Sequence, residues 1–319
     1  MRAAVTGATG FVGSHLVEAL RARGDAVTAL VRRSQRSGPA GCRIVEGSLE
    51  DEGARRALVE GQDVLYHLAG LVAARKPADF QRVNADGAAA LAAAAARAGV
   101  GRFLLVSSLA VTGPSRPGHP VDEASGPGPV TTYGRSKRAG EEAVRASGVP
   151  FTIVRPPAVY GPRDRAFLAL FRSAARGFAP LLGDGTQELT LVHAADLARA
   201  LVAAATSAAT AGGVYHAGHA EPVTQRALAE EVGRAVGRAV HAISLPGPLV
   251  RAALGAAGVA ARALGRSPLL DGDKANELLA LGWSCSSAAL RRDASWSAEI
   301  ALSEGLADTA RAYRRAGWL

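Results

Sequence analysis

The stretch Val5-Thr6-Gly7-Ala8-Thr9-Gly10-Phe11-Val12-Gly13 decides how the rest of the chain is read. Arg2-Ala3-Ala4-Val5 before it fits a short buried strand. After it, Phe11, Leu16 and Leu20 recur at helical spacing, so the glycines stand where a strand turns into a helix. Gly7 permits the tight turn, Gly10 lets backbone amides approach a pyrophosphate, and Gly13 lets helix and strand pack closely. The helix N-terminus adds free N–H groups and partial positive charge for an anion. The spacing is Gly-x-x-Gly-x-x-Gly, and its strand–turn–helix setting predicts a dinucleotide site.

Outward from that turn, strands and helices alternate. Strands are predicted at residues 26–31, 43–46, 64–67, 103–106, 151–154, 189–192 and 214–217. Helices are predicted around 54–59 and over 80–98, 132–146, 166–177 and 195–205. Apolar strands separated by helices imply a parallel sheet covered on both faces. The breaker-rich loop 112–130 reads as a lid or binding loop. From Thr224 the chain reads as mostly helical. The expected architecture is an α/β, Rossmann-type doubly wound sheet with a smaller, mostly helical C-terminal substrate lobe. Residues 1–155 plus 189–220 would bind the dinucleotide, and 156–188 plus 221–319 would form the lobe.

The composition narrows the function. A length of 319 residues suits one large domain or two coupled ones, and 48% hydrophobic with only 5% aromatic residues implies a core of Ala, Val and Leu. The formal net charge is +9, but the basic residues are scattered, which argues against nucleic acid. Cys42 and Cys285 are isolated and no ligand cluster suggests a metal. A reducing, cytoplasmic setting without a signal peptide is expected. Two Ala-rich stretches, 88–96 and 249–264, fall short of the roughly 20 uninterrupted apolar residues that a membrane span needs. An in-plane helix over 248–265 is the membrane reading the pattern leaves open.

Tyr133 and Lys137 stand one helical turn apart on one face. An ammonium there would lower the phenol's pKa, suiting Tyr133 to exchange a proton with a hydroxyl or carbonyl. Ser107 and Ser108 follow the strand before; a hydroxyl at Ser108 could reach the same substrate oxygen, and either serine could instead only cap the strand end. The glycine turn, a strand-end Ser and Tyr-x-x-x-Lys together resemble the extended branch of the short-chain dehydrogenases/reductases. His67-Leu68-Ala69-Gly70, Asn84, Arg155-Pro156 with Val159-Tyr160-Gly161-Pro162, the His193/Asp196-Leu197 stretch and the ending 312–318 resemble further landmarks of that branch.

The resemblance implies a division of labour. Tyr133 is the acid/base, Lys137 tunes it and holds the nicotinamide ribose, and Ser108 is the catalytic serine. Gly7, Thr9, Gly10, Phe11, Val12, Gly13, Ser48, Leu49, Leu68, Ala69, Gly70, Asn84, Ser107, Pro156, Tyr133 and Lys137 would contact cofactor. The predicted second strand ends in Arg32 and Arg33 where an NAD site carries an acid, which favours NADP over NAD. Ser48 replaces an Asp common among relatives. Ala158 replaces an Asn that helps nucleotide-sugar members bind diphosphate. Around it, Arg155 to Tyr160 looks more like 3β-hydroxysteroid dehydrogenases and dihydroflavonol reductases. The expected activity is an NAD(P)-dependent alcohol–ketone interconversion on a small or medium apolar substrate. The alternatives are a nucleotide-sugar epimerase or dehydratase with retained NAD, and a non-catalytic NADP-sensing protein. A homodimer through the helices at 80–98 and 132–146 is implied by fold analogy.

Overall fold

The computed structural model describes residues 1–32, 38–265, 267 and 271–319. Its centre is a seven-stranded, wholly parallel sheet. β1 (Arg2–Thr6) leads through the glycine turn into helix α1 (Phe11–Ala22). β2 (Ala26–Val31), β3 (Arg43–Glu46), β4 (Val64–His67), β5 (Arg102–Val106) and β6 (Phe151–Arg155) follow, and Val214–His216 closes the far edge. The order is Val214–His216, β6, β5, β4, β1, β2, β3. Strand order therefore reverses beside β1. Thr6 pairs in register with Leu30 of β2 and His67 of β4. That register gathers the glycine turn, the end of β2 and residues 68–70 along one sheet edge, where open α/β sheets bind ligands.

Alternation along β1 divides the core. Ala3 and Val5 join one cluster with Leu16 and Leu20 of α1 and with Leu197 and Leu201. Ala4 joins the other, with Leu65, Leu91, Phe103 and Ile153. The small side chains allow close approach. At Gly140 in helix Thr132–Ala146, a Cβ would stand 2.3 Å from the Asn84 carbonyl oxygen. Helices Leu168–Ala175, Gln225–Val236 and Leu302–Arg315 form a third core around Tyr160, Phe171, Val232 and Tyr313.

Three expectations are corrected. The predicted strand 189–192 is two strands in different sheets. Glu188–Leu189 pairs with Val223–Thr224 and Gly282–Trp283, whereas Leu191–His193 pairs with Ala158–Tyr160. Between them, fully buried Thr190 donates its N–H to Trp283 O (2.9 Å), and its hydroxyl accepts from Cys285 N (3.0 Å). The predicted helix 80–98 is Pro77–Phe80, a π-helical turn Gln81–Asp86, then Gly87–Arg97. The 112–130 loop is no free lid: Ser115 Oγ accepts from Ser284 N (2.9 Å), and Val121 exchanges backbone hydrogen bonds with Ser284 and Ser286.

Candidate active site

The glycine turn is a cradle of bare backbone. Gly7 has φ 73°, and a Cβ there would meet Ala69 N at 2.8 Å. A Cβ on Gly13 would stand 2.0 Å from Gly7 O. Gly10 N donates to Gly7 O (2.9 Å), and Gly10 caps α1 in extended conformation without a side-chain hydrogen bond. First-turn N–H groups of a helix have no partner within the helix itself. A pyrophosphate fits such an end, so the turn suits the dinucleotide that the sequence predicts. Thr9 and Gly10 are exposed, Phe11 and Val12 half-buried.

Thr6 locks this turn to the next. Its hydroxyl accepts from Ala69 N (3.2 Å) and shares a 2.7 Å hydrogen bond with His67 Nδ1. Leu68 and Ala69 are half-buried and Gly70 is exposed at the crevice. Burial, with the Lys137 charge adding to it, holds the His67 pKa down at about 3 against its ordinary 6.5. The folded protein keeps His67 neutral, while the unfolded chain protonates it below about 6.5. Stability is therefore lost as pH falls from 6.5 towards 3, by up to about 1.4 kcal/mol per pH unit. Urea unfolding of His67→Asn should show a shallower acid dependence than wild type over that window; equal slopes would remove His67 as its source.

Asn84 sits in the π-helical turn, only 3% exposed. Its Oδ1 accepts from Leu71 N (2.7 Å), and its Nδ2 donates to Leu71 O (3.0 Å) and Ser136 Oγ (3.0 Å). The side chain thus ties the loop after β4 to the Tyr133 helix, and the π turn is what points it there. Arg32 is exposed just past β2, and Arg33 lies outside the described residues. Ser48 Oγ accepts from Glu50 N (3.2 Å), so Ser48 shapes its own turn, beside half-buried Leu49.

The two serines part company. Ser107 is buried and its hydroxyl has no hydrogen-bond partner among the described residues. Ser108 accepts from Ala110 N (3.1 Å) and lines a cavity of about 260 Å³. The Tyr133 helix begins at Thr131, whose hydroxyl accepts from Gly134 N (3.1 Å). Gly134 lets this helix rest on the 109–111 turn, since a Cβ there would lie 2.6 Å from Ala110 O. The Tyr133 phenol thereby meets the Ser108 hydroxyl.

The expected depression of the Tyr133 pKa is corrected here. Burial pushes it up to about 12, the Ser108 hydrogen bond pulls the other way, and the Glu277 charge adds to the rise. Lys137 is not among the groups that set it; its Nζ donates to Val106 O (2.7 Å). Burial pushes Lys137 down to about 8, against a pull upward from Glu141.

Besides Leu109 and Ala110, the cavity residues that the sequence reading missed come from the lobe and from Leu189 at its border. Gln187, Leu189, Gln225, Glu277, Leu278 and Trp283 face Ser108 and Pro156 across it. Glu277 Oε1 pairs with Lys274, while its buried Oε2 has no hydrogen-bond partner among the described residues. These residues arrive from separate segments, and no local spacing marks them. None of residues 112–130 lines the cavity. His193 is a cap, its Nδ1 accepting from Ala195 N (3.3 Å).

A doubly wound parallel sheet with a glycine turn at its switch point is the frame on which open α/β proteins bind dinucleotides. Residues 3–218 match the family described as NAD dependent epimerase/dehydratase. The chain belongs to that family and is an oxidoreductase or epimerase of the extended short-chain type. It is 38% identical over 321 residues to the ceramide reductase of Caulobacter vibrioides, covering 99% of this chain and 95% of that protein. It is 35% identical over 238 residues to a 4-hydroxy-2-methyl-3-oxo-4-farnesyl-3,4-dihydroquinoline-1-oxide ketoreductase of Stigmatella aurantiaca, covering 72% and 71%. Among solved structures, MoeE5 in complex with UDP-glucose and NAD superposes with a TM-score of 0.78 at 26% identity, covering 99% of each chain.

Proposed function

We propose that this protein reduces a ketone carried on a ceramide-type lipid, using a nicotinamide cofactor with preference for NADP(H). The observation that carries the reading is the cavity wall beside Ser108. It is formed by Leu109, Ala110, Pro156, Pro157, Leu189, Leu278 and Trp283 with three polar side chains, and no Lys or Arg among the described residues lines it. Such a wall accepts an apolar chain and offers a nucleotide-sugar diphosphate no cation. Ala158, also in the wall, supplies no hydrogen bond to a diphosphate either. The likeness to the two named reductases supports the same direction.

The bare turn from Gly7 to Gly13 would hold the pyrophosphate, and residues 68–70 and Pro156 would flank the nicotinamide half. A nicotinamide held there would supply the hydride that a ketone carbon needs. Tyr133, protonated at neutral pH, gives its proton to the oxygen that becomes the alcohol. Ser108 positions that oxygen. Lys137, one helical turn on from Tyr133, is anchored on Val106 O.

The test is NADPH oxidation with a short-acyl oxo-ceramide, set against UDP- and dTDP-linked oxo-sugars. Turnover of the lipid ketone is expected. Turnover confined to the sugars would replace this reading with the nucleotide-sugar one. Arg32 is offered as a partner for the 2′-phosphate. Arg32→Ser should raise the KM for NADPH about tenfold or more and leave that for NADH unchanged. An equal effect on both cofactors would remove Arg32 from the argument.

A further inference from the structure

We infer that helix Gly247–Ala263 lies in the plane of an anionic membrane surface and brings the catalytic cavity to its lipid substrate. Of its 17 residues only Val250 and Gly258 are buried. Leu249 and Val259 are each 66% exposed, and Leu264 just beyond the helix is 72% exposed. At 100° per residue, Ala252, Ala256, Val259 and Ala263 lie opposite the Val250–Gly258 stripe. That outward face carries no charge, and the helix contains no acidic residue.

The two cations of the helix, Arg251 and Arg262, share one flank, about three turns apart. Arg251 donates to Asn276 Oδ1 (3.0 Å), and Arg262 pairs with Asp271 (2.5 Å). Further positive charge comes from the neighbouring loop. Its Arg75 guanidinium approaches Gly265, and Arg75, Lys76 and Val72 are all exposed. An apolar face edged by basic residues is the pattern of an interfacial helix on anionic lipid.

The position of the helix fits that occupant. It packs on helix Gly272–Leu278, which supplies Glu277 and Leu278 to the cavity wall. Asp273 of the same helix accepts from Thr132 N (2.8 Å), beside Tyr133. The choice of a bilayer over a protein partner rests on the lipid-ketone reading above.

The test is flotation of the full chain with vesicles of phosphatidylcholine alone and of phosphatidylcholine mixed with phosphatidylglycerol. The chain should float with the anionic vesicles and be released by salt. Leu249→Asp combined with Val259→Asp should lower partitioning at least about tenfold. Arg75→Glu combined with Lys76→Glu should lower it by a similar factor. Both double variants should keep wild-type turnover of a water-soluble ketone, which also shows that they fold. A wild-type chain that stays in solution, or an apolar-face variant that floats undiminished, overturns the proposal. A dimer that this variant converts to monomer, without vesicle binding by wild type, assigns the face to a second copy. Flotation retained without turnover of any lipid ketone leaves the docking surface standing and removes the substrate reading; turnover without flotation does the reverse.

Discussion

Tyr133→Phe should lower kcat for ketone reduction by about 10² to 10⁴-fold while cofactor binding is retained. The substitution removes one oxygen from a half-buried ring that packs on Phe80, with centroids 6.1 Å apart. The ring contact survives, so stability should change little. What disappears is the hydroxyl proposed as the proton donor, whose pKa burial and the Glu277 charge raise. Single-turnover kinetics would place the loss in the chemical step, and cofactor titration by fluorescence would show binding preserved. Undiminished turnover would leave this site without its acid. Glu277→Gln supplies the electrical counterpart, since removing that charge should ease the Tyr133 pKa downward and shift the alkaline limb of the rate profile the same way.

Glu141→Ala should cost about 3–5 kcal/mol of stability, measured by urea or thermal unfolding. Arg155 at the end of β6 meets Glu141 on the Tyr133 helix through two parallel hydrogen bonds of 2.9 and 2.6 Å. Their side chains are only 8% and 3% exposed. Deleting the carboxylate would leave a buried guanidinium with only the Thr112 hydroxyl, which accepts from it at 3.1 Å. Replacing both partners, as Glu141→Leu with Arg155→Met, should recover much of the loss, because no uncompensated charge then remains. A single-variant loss below about 1 kcal/mol would mean that the pair behaves like an exposed one.

The legible part of the fold was the part with local causes. Helix Thr132–Ala146 has the bounds predicted for it. β3 and β4 coincide with their apolar runs. Gly99, at φ 69°, stops the Ala-rich helix where a left-handed residue must stand. The glycine turn could be read because steric need leaves a residue type as its trace. Strands of two residues leave none, so the sheet of Glu188–Leu189, Val223–Thr224 and Gly282–Trp283 stayed hidden. The change of partner at Thr190 depends on Cys285, far along the chain. The site was legible as a set of residue types and not as a charge state. Tyr133 answers to burial and Glu277, and neither can be counted from the Tyr-x-x-x-Lys spacing.

The 2.0 Å approach at Gly13 has a consequence for anyone who compares relatives of this chain. Every amino-acid replacement there adds at least one carbon where the Gly7 carbonyl already sits. Gly13 should therefore tolerate drift as little as Tyr133, though it has no side chain to donate, accept or titrate. Constancy along a family would rank the two alike; only the geometry separates a position held for its volume from one held for its chemistry.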